Sequence, residues 1–271
     1  MRKLLLATTA LAALVGTPAF AADMGAPVYK APPPPAPIFS WTGFYVGLNG
    51  GYGWGHDPVT FSPANAAANV YFTGTGGGPA VPGSVTTSPQ GGLFGGQIGY
   101  NYQWSNFVAG IETDFDWADI RGTGTVGTAV TGFAPFTTSA QQKLTSLGTF
   151  RGRLGFAADR ALFYGTGGLA YGRTQLNTSI LTPTTGCGPA GLCAATSSTQ
   201  WQTGWSAGAG MEYAFAAGWS GRVEYLHYDL GSHTQGQFDP ADVAPFNPVF
   251  NSSATFRGNI VRGGINYRFG G

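Results

Sequence analysis

Residues 201–215 (WQTGWSAGAGMEYAF) alternate strictly between two kinds of side chain. The odd positions, from Trp201 to Phe215, are mostly aromatic or apolar, whereas the even positions are Gln, Gly, Ser, Glu and Ala. Successive side chains of a strand lie on opposite faces, so this pattern predicts a long strand that separates two different media. Aromatic residues at both ends of the apolar face favour a strand that crosses a bilayer.

A strand in a soluble β-sandwich would also alternate, with its apolar face toward a core and its polar face toward water. Strands of soluble proteins are usually about five or six residues long, however. The small residues on the polar face of residues 201–215 also fit the narrow interior of a barrel. The membrane interpretation is therefore the stronger of the two.

The same period of two recurs in seven further segments. They are residues 42–54, 91–104, 107–119, 143–157, 161–173, 219–231 and 255–269. Both faces of 161–173 are mixed, so its register stays unassigned. Tight turns are predicted at residues 105–106, 159–160 and 217–218, and long loops at 55–90, 121–142, 176–200 and 233–254. Eight strands with alternating short turns and long loops predict an all-β fold, an eight-stranded antiparallel transmembrane β-barrel with periplasmic turns and external loops.

The composition supports this fold. Only 9% of the 271 residues are charged and 45 are glycine, whereas about a quarter of the residues of soluble domains are charged. Beyond the N-terminus, no run of about twenty apolar residues suggests a transmembrane helix. A closed barrel is the other structure that satisfies every backbone group within lipid.

The N-terminus predicts an export signal. Arg2 and Lys3 precede the apolar residues 4–15, and residues 19–21 (AFA) form a small-x-small cleavage site. We expect residues 1–21 to be a cleaved signal peptide. Residues 22–41 are rich in proline and predict an extended periplasmic linker, and residues 42–271 are assigned to the outer-membrane barrel.

Ten charged side chains fall on the predicted inward rows of the strands. An eight-stranded barrel has an interior that side chains can fill, so we expect these five acids and five arginines to form a luminal charge network that plugs the barrel. A narrow pore or a paired-carboxylate active site are the alternatives. The residues are Glu112, Asp114, Asp116, Arg151, Arg153, Glu212, Arg222, Glu224, Arg262 and Arg268.

The remaining reactive residues do not predict catalysis or a bound metal. Cys187 and Cys193 are close together in an exported chain, which predicts a disulfide. A zinc site is the alternative, but no further ligand lies nearby in the sequence. His56, His227 and His233 are isolated from one another. We expect no enzyme activity, no cofactor and no metal.

Several motifs resemble a known family. They are SWTGFYVGLNGGYGWG at residues 40–55, FRGRLG at 150–155, YGTGGLAYG at 164–172, VEYLHYDLG at 223–231 and RGGINYRF at 262–269. Together with the proline-rich segment they resemble the alphaproteobacterial Omp25/Omp31-like small outer-membrane β-barrels, described as porin-family or outer-membrane immunogenic proteins. The implied fold is the up-and-down barrel of OmpA and OmpX.

The resemblance also implies a location and partners. The location is the bacterial outer membrane, in contact with its lipid and lipopolysaccharide, as a monomer or weak oligomer. Nucleic acid is excluded by charge instead: loss of Arg2 and Lys3 with the signal peptide changes the formal net charge from +1 to −1, which leaves no basic surface. Gly264, Tyr267 and Phe269 fit the signal that the barrel assembly machinery reads. A mature chain that begins at Ala22, followed by Asp23, implies attachment of the Ala22 amine to peptidoglycan.

Three functions remain open at this stage. The first is a structural surface protein that stabilises the envelope. The second is a narrow porin-like channel for small solutes. The third is binding of a ligand or a host surface by the external loops. Heme is one such ligand because some relatives are credited with binding it, but His56 and His233 form no recognisable heme site in the sequence.

Overall fold

The computed structural model describes residues 39–74, 79–129, 131, 134–182, 192–238 and 249–269. No helix in these ranges is long and apolar enough to span a membrane. The signal peptide and residues 22–38 of the linker lie outside them. The described elements are β1 (Gly43–Trp54), β2 (Asp57–Pro63), α1 (Ala66–Thr73), β3 (Ser84–Thr87), β4 (Gln90–Trp104), β5 (Phe107–Thr128), β6 (Phe136–Ala158), β7 (Ala161–Leu181), β8 (Leu192–Ala216), β9 (Trp219–Phe238) and β10 (Val249–Arg268).

Eight of the strands form a closed ring. β1 pairs with β4, each strand from β4 to β10 pairs with the next, and β10 pairs back with β1, always antiparallel. β2 and β3 continue the sheet outside the ring, on the outer end of β10. The predicted eight-stranded antiparallel β-barrel is therefore confirmed.

The register of the ring makes the barrel narrow. If directly opposed residues are followed once around the ring from Trp219 of β9, the path returns to β9 at Asp229, ten residues farther along. Strands in such a staggered ring tilt by about 35–45° from the barrel axis, and eight of them leave an interior that side chains fill. Every side chain on the inner face therefore meets others across the lumen.

The outer surface carries an apolar band between two aromatic girdles. Phe150, Leu154 and Ile265 are among the exposed apolar side chains of the band. Rings pack side by side at both ends, as between Trp104 and Phe107 with centroids 6.2 Å apart. The girdle at the long-loop end contains Trp54, Trp117, Tyr171 and Trp205, and the girdle at the turn end contains Trp104, Phe107, Tyr213, Trp219 and Phe269.

The structure assigns the register that the sequence left open in β7. Leu162 and Tyr164 are buried in the lumen, whereas Phe163 and Leu169 are exposed on the outer face. The sequence concealed this because residues 165–168 (GTGG) have almost no side chain on either face. The even positions of β7 therefore face inward.

The short turns lie where they were predicted. Ser105 and Asp159 adopt positive φ of 55°, and Gly218 has φ 75°. Gly218 requires this freedom because a side chain would be strained there. The three turns join β4 to β5, β6 to β7 and β8 to β9 at the end that we assign to the periplasm, since short turns are periplasmic in such barrels.

The predicted long loops are largely wrong. β5 and β6 extend through most of residues 121–142, β7 and β8 through most of 176–200, and β9 and β10 through much of 233–254. Residues 55–90 contain β2, α1 and β3. These segments are rich in Thr, Ser, Gln and Asn. Their side chains still alternate between the two faces of a strand, but both faces are mostly polar. Only the part of a strand that contacts lipid requires an apolar face.

The outer end of the barrel is folded over its own mouth. Pairing of β8 with β9 ends at Trp205 and Asp229, and β9 bends at Gly231, whose φ is 77°. Beyond this bend β9 stays paired with β10, and its side chains contact β7: the Gln235 amide donates to the Leu176 carbonyl at 3.2 Å. The outer mouth is therefore covered by strands.

Closure between β1 and β10 can be tested by cross-linking. In a chain with Cys187→Ser and Cys193→Ser, we expect Leu48→Cys with Ile265→Cys to form a disulfide, because these residues are directly opposed. The Cα atoms of opposed residues are about 4.5–5.5 Å apart, which a disulfide can bridge.

The control is Leu48→Cys with Val261→Cys. Val261 is opposed to Tyr52, so it lies four residues away along the strand, or about 13 Å. Mobility on a non-reducing gel reports the bridge. Equal cross-linking of both pairs, or of neither, would contradict the closed ring.

Candidate functional site

The ten charged residues of the predicted luminal network are all buried inside the barrel. β5 supplies three of the acids at alternate positions, and β6, β8, β9 and β10 supply the rest. Each lies on the inner face because its strand keeps the period of two through the bilayer. The structure brings nine of them together in two groups.

The larger group, here called the central ionic cluster, contains three arginines and four carboxylates. Its members are Arg151, Arg222, Arg262, Glu112, Asp114, Asp116 and Glu224. Arg151 donates to Glu112 and Asp114, both at 2.7 Å, and to Glu224 at 3.0 Å. One planar guanidinium thus joins three carboxylates, a geometry that lysine cannot provide.

The other two arginines of the cluster bind the same carboxylates from the opposite wall. Arg262 donates to Glu224 at 2.7 Å and to Asp114 and Asp116 at 2.9 Å. Arg222 forms a hydrogen-bonded ion pair with Glu112. Each carboxylate of the cluster contacts at least one arginine, so every acid has a positively charged partner.

The smaller group is the pair of Arg153 and Glu212, which are hydrogen-bonded to each other. Glu212 also accepts from Ser220 at 2.5 Å and from Asn266 at 2.8 Å. The guanidinium of Arg153 lies 3.6 Å from the ring centroid of Tyr164, so a cation–π contact adds to the ion pair.

Tyr45 joins the two groups. Its hydroxyl donates to Glu112 at 2.7 Å, and Arg153 lies 3.4 Å from the same oxygen. Tyr45 was not among the residues predicted for the lumen, although its position between the outward Phe44 and Val46 of β1 marks it as an inward tyrosine.

The prediction for Arg268 is wrong in one respect. Its side chain is buried, but it makes no ion pair with the residues that the structure describes. Its guanidinium instead lies 4.3 Å from the ring centroid of Phe39. Arg268 is at the periplasmic end of β10, where it lines a small cavity together with Glu212 but lies beyond ion-pair distance, and its guanidinium contacts the ring of Phe39 instead.

An apolar layer closes the periplasmic side of the charges. It consists of Trp41, Val108, Ala157, Leu162, Tyr164 and Ala214, with Phe39 packed against it. The Trp41 amide donates to the Gln103 side chain at 2.7 Å. Residues 39–41, assigned from sequence to the linker, are therefore part of the barrel and fill its periplasmic mouth.

A larger apolar layer closes the outer side. Leu93, Ile120 and Leu144 lie within it, and β2, α1 and the outer parts of β5–β10 contribute to it. Neither apolar layer was predicted, because the predicted lumen rested on the charged side chains of the inner rows. Inward apolar residues such as Leu226 and Ile260 were the available signal.

Two small cavities lie at the two apolar layers. A cavity at the periplasmic mouth and another beside Leu144 and Tyr228 each measure about 10 Å³, room for roughly one water. Larger depressions of about 650 and 440 Å³ lie on the lipid-facing surface along glycines of β1, β10, β6 and β7. The lumen is a packed core.

The histidines do not form a common site. His56 is exposed, with Nδ1 3.1 Å from the Ser88 hydroxyl. His227 lies on the outer face, with Nδ1 2.9 Å from the Asn259 side-chain oxygen. His233 is buried in the outer apolar layer, and desolvation lowers its pKa.

No group of three or more His, Cys, Asp or Glu in the described ranges could hold a metal. Cys193 is buried at the start of β8, but Cys187 lies outside the described residues, so the disulfide stays a prediction. The attachment residue Ala22 also lies outside them.

The three residues of the predicted assembly signal lie at the end of the chain on β10 or directly after it. Tyr267 and Phe269 are exposed toward lipid. Gly264 faces inward, where a Cβ atom would be 2.8 Å from the Leu48 carbonyl. The closing pair of strands requires a glycine there, independently of any role in assembly.

Comparison with known proteins identifies similar chains. Residues 7–269 match the model of the outer membrane protein beta-barrel domain family. The chain is 35% identical over 272 residues to the 31 kDa outer-membrane immunogenic protein of Brucella melitensis, with 99% of this chain and 100% of that protein covered. It is 26% identical over 276 residues to the 25 kDa outer-membrane immunogenic protein of Brucella abortus, with 99% of both chains covered.

Among solved structures, the outer membrane protein OprG from Pseudomonas aeruginosa is similar, with 13% sequence identity and a TM-score of 0.47. The match covers 85% of this chain and 97% of that chain.

The ionic pairing can be tested at Arg153 and Glu212. We expect Glu212→Gln to lower the free energy of unfolding by about 3–5 kcal/mol, because it leaves the buried Arg153 charge uncompensated. Adding Arg153→Met should recover part of this loss. The measurement is a urea titration followed by tryptophan fluorescence.

Asp159→Asn is the matched control, since Asp159 is exposed in a periplasmic turn and should change the free energy of unfolding by at most about 0.5 kcal/mol. A Glu212→Gln barrel as stable as the parent would show that the pair is not desolvated as described.

The buried His233 should make the stability of the outer part of β9 depend on pH. Desolvation lowers its folded-state pKa, so protonation favours the opened state. The free energy of opening of residues 232–238, the outer part of β9, should be highest above the ordinary histidine pKa of about 6.5. It should fall as the pH decreases below that value. Amide protection factors of residues 232–238 at pH 7 and pH 5 measure this.

In the His233→Leu control the same protection factors should not change between these pH values. An equal decrease in the parent and in His233→Leu would assign the pH dependence to another group.

Proposed function

Because the chain belongs to the family of outer-membrane β-barrel proteins and is of the Omp25/Omp31 type, we propose that it is a structural protein of the outer membrane that stabilises the envelope without catalysis. The observation that carries this proposal is the filled lumen. An ionic layer lies between two apolar layers. Solute passage would require all three layers to move.

The pairing of each luminal acid with an arginine also supports a structural role over a channel. Ion-selective pores place rings of one sign where water and ions can reach them. Here Arg151 and Arg262 are shared among acids that are themselves buried. A guanidinium bound to three carboxylates fixes the positions of the strands relative to one another.

We further propose that the mature N-terminus is tethered to peptidoglycan through Ala22. The described chain begins at Phe39, in the periplasmic mouth, where it packs against Trp41 and Arg268. A proline-rich segment of residues 22–38 would reach roughly 50 Å if extended at about 3.1 Å per residue. The proposed attachment is thus on the periplasmic side, at the end of a spacer.

Conductance tests the sealed lumen. We expect the purified, folded chain to give no stable open state in a planar bilayer, because the central ionic cluster and both apolar layers occupy the lumen. A porin of known conductance in the same bilayer and a detergent blank are the controls. A stable open state whose conductance scales with salt concentration would contradict the sealed lumen and favour the narrow channel.

Mass spectrometry of peptidoglycan-digested envelopes tests the tether. We expect N-terminal peptides in which the Ala22 amine carries a peptidoglycan fragment, and we expect the undigested protein to sediment with the cell-wall sacculus. Recovery of Ala22 only as a free amine would exclude the tether. That result would leave the sealed-lumen proposal intact, since the two rest on different parts of the chain.

A further inference from the structure

The cations of the described residues occupy three separate places. Five arginines face the lumen, and Arg160 lies in the exposed periplasmic turn between β6 and β7. All the others lie on the outside of the barrel at its outer end: Arg121, Lys143, Arg173 and Arg257. The lipid-facing wall between the two girdles carries none of the cations in the described part.

Three of the outer cations are neighbours on adjacent strands, and we call Arg121, Lys143 and Arg173 the β5–β7 cation patch. Arg121 of β5 is directly opposed to Lys143 of β6. Arg173 of β7 is opposed to Ser146 of β6 and to Trp201 of β8. It lies two residues from Gln175, the residue of β7 that is directly opposed to Lys143.

The patch lies at one height, just outside the aromatic girdle. Strands tilted by about 40° gain roughly 2–3 Å of height per residue. Along a row of opposed residues, the tilt also adds roughly 3 Å of height from one strand to the next. With the observed register, the Cα atoms of Arg121, Lys143 and Arg173 are therefore within about 5 Å of the same height. Trp117 and Tyr171 lie below the patch on β5 and β7, so the patch is at the level of the outer-leaflet headgroups.

The patch has an excess of positive charge. Asp119 contacts Arg121 at 2.6 Å and Lys143 at 3.7 Å, whereas Arg173 makes no ion pair with a described residue. Two cations directly opposite each other on a sheet repel, and Asp119 offsets only part of this repulsion. The side chain of Arg121 is 60% exposed, so its guanidinium is accessible from outside.

Arg257 differs from the three residues of the patch. Its Nε donates to Asp57 at 2.7 Å, and Asp57 is buried. Asp229 lies directly opposite Arg257 on β9. The charge of Arg257 is therefore balanced within the protein, and it is not part of the site.

We propose that the β5–β7 cation patch binds the anionic headgroup of an outer-leaflet glycolipid, with a phosphate held by Arg121, Lys143 and Arg173. Arginine binds phosphate oxygens with two parallel hydrogen bonds, and lysine contributes a point charge. Trp117 and Tyr171 face the region where the acyl chains of such a lipid begin. The site is independent of whether the lumen conducts.

Binding to purified lipids tests the proposal. The folded full-length chain is exchanged into zwitterionic bicelles and titrated with phosphorylated lipid A, dephosphorylated lipid A or inorganic phosphate. We expect phosphorylated lipid A to bind, and the triple variant Arg121→Gln, Lys143→Gln, Arg173→Gln to bind it roughly tenfold more weakly, as expected when three exposed ion pairs are lost. Arg160→Gln, which removes a cation from the periplasmic turn, should bind like the parent.

A gain-of-binding variant excludes misfolding as the cause. Asp119→Asn removes the carboxylate that Arg121 and Lys143 share, so we expect tighter binding of phosphorylated lipid A. Equal binding of both lipid A forms, an unchanged affinity of the triple variant, or weaker binding by Asp119→Asn would each overturn the proposal. Saturation by inorganic phosphate at the same concentration would show a general anion site rather than a lipid site.

Discussion

Closure of the ring between β1 and β10 is the constraint on which the rest of this structure depends. It pairs the backbone groups that lipid could not satisfy, and its register, ten residues per circuit, leaves an interior only wide enough for side chains. A charged residue on an inner row must then meet residues of the opposite wall. The long strands, the glycines at close approaches and the inward charges are consequences of that geometry.

The central ionic cluster is costly to desolvate, so its contribution is better understood as specificity than as net stability. Arg151 contacts acids from β5 and β9, and Arg262 contacts acids from the same two strands. A slip of one residue in any of these strands would turn its charges toward lipid. The apolar layers on both sides exclude water from the cluster and strengthen each ion pair.

The side chains on the outer surface of the barrel also match the medium that they face. Apolar side chains face lipid, aromatic rings mark both interfaces, and the outward cations of the described strands are confined to the outer end. Beyond the bilayer the strands continue with hydroxyl and amide side chains, and β9 folds over the mouth at Gly231. A sealed, membrane-fixed body with a surface for headgroups fits a structural protein of the envelope.

The sequence by itself determined the eight strands, their short turns, which face of seven of them meets lipid, and which charges enter the lumen, because a strand that separates lipid from a lumen must alternate. It could not determine the partners across the lumen, since Arg153 to Glu212 or Arg268 to Phe39 depend on register around the whole ring. The strands within residues 121–142 and 176–200 were also hidden, because outside the bilayer both faces are polar. Only the closed tertiary structure placed Trp41 in the lumen and identified the partners of Tyr45 there, because both depend on residues distant in sequence.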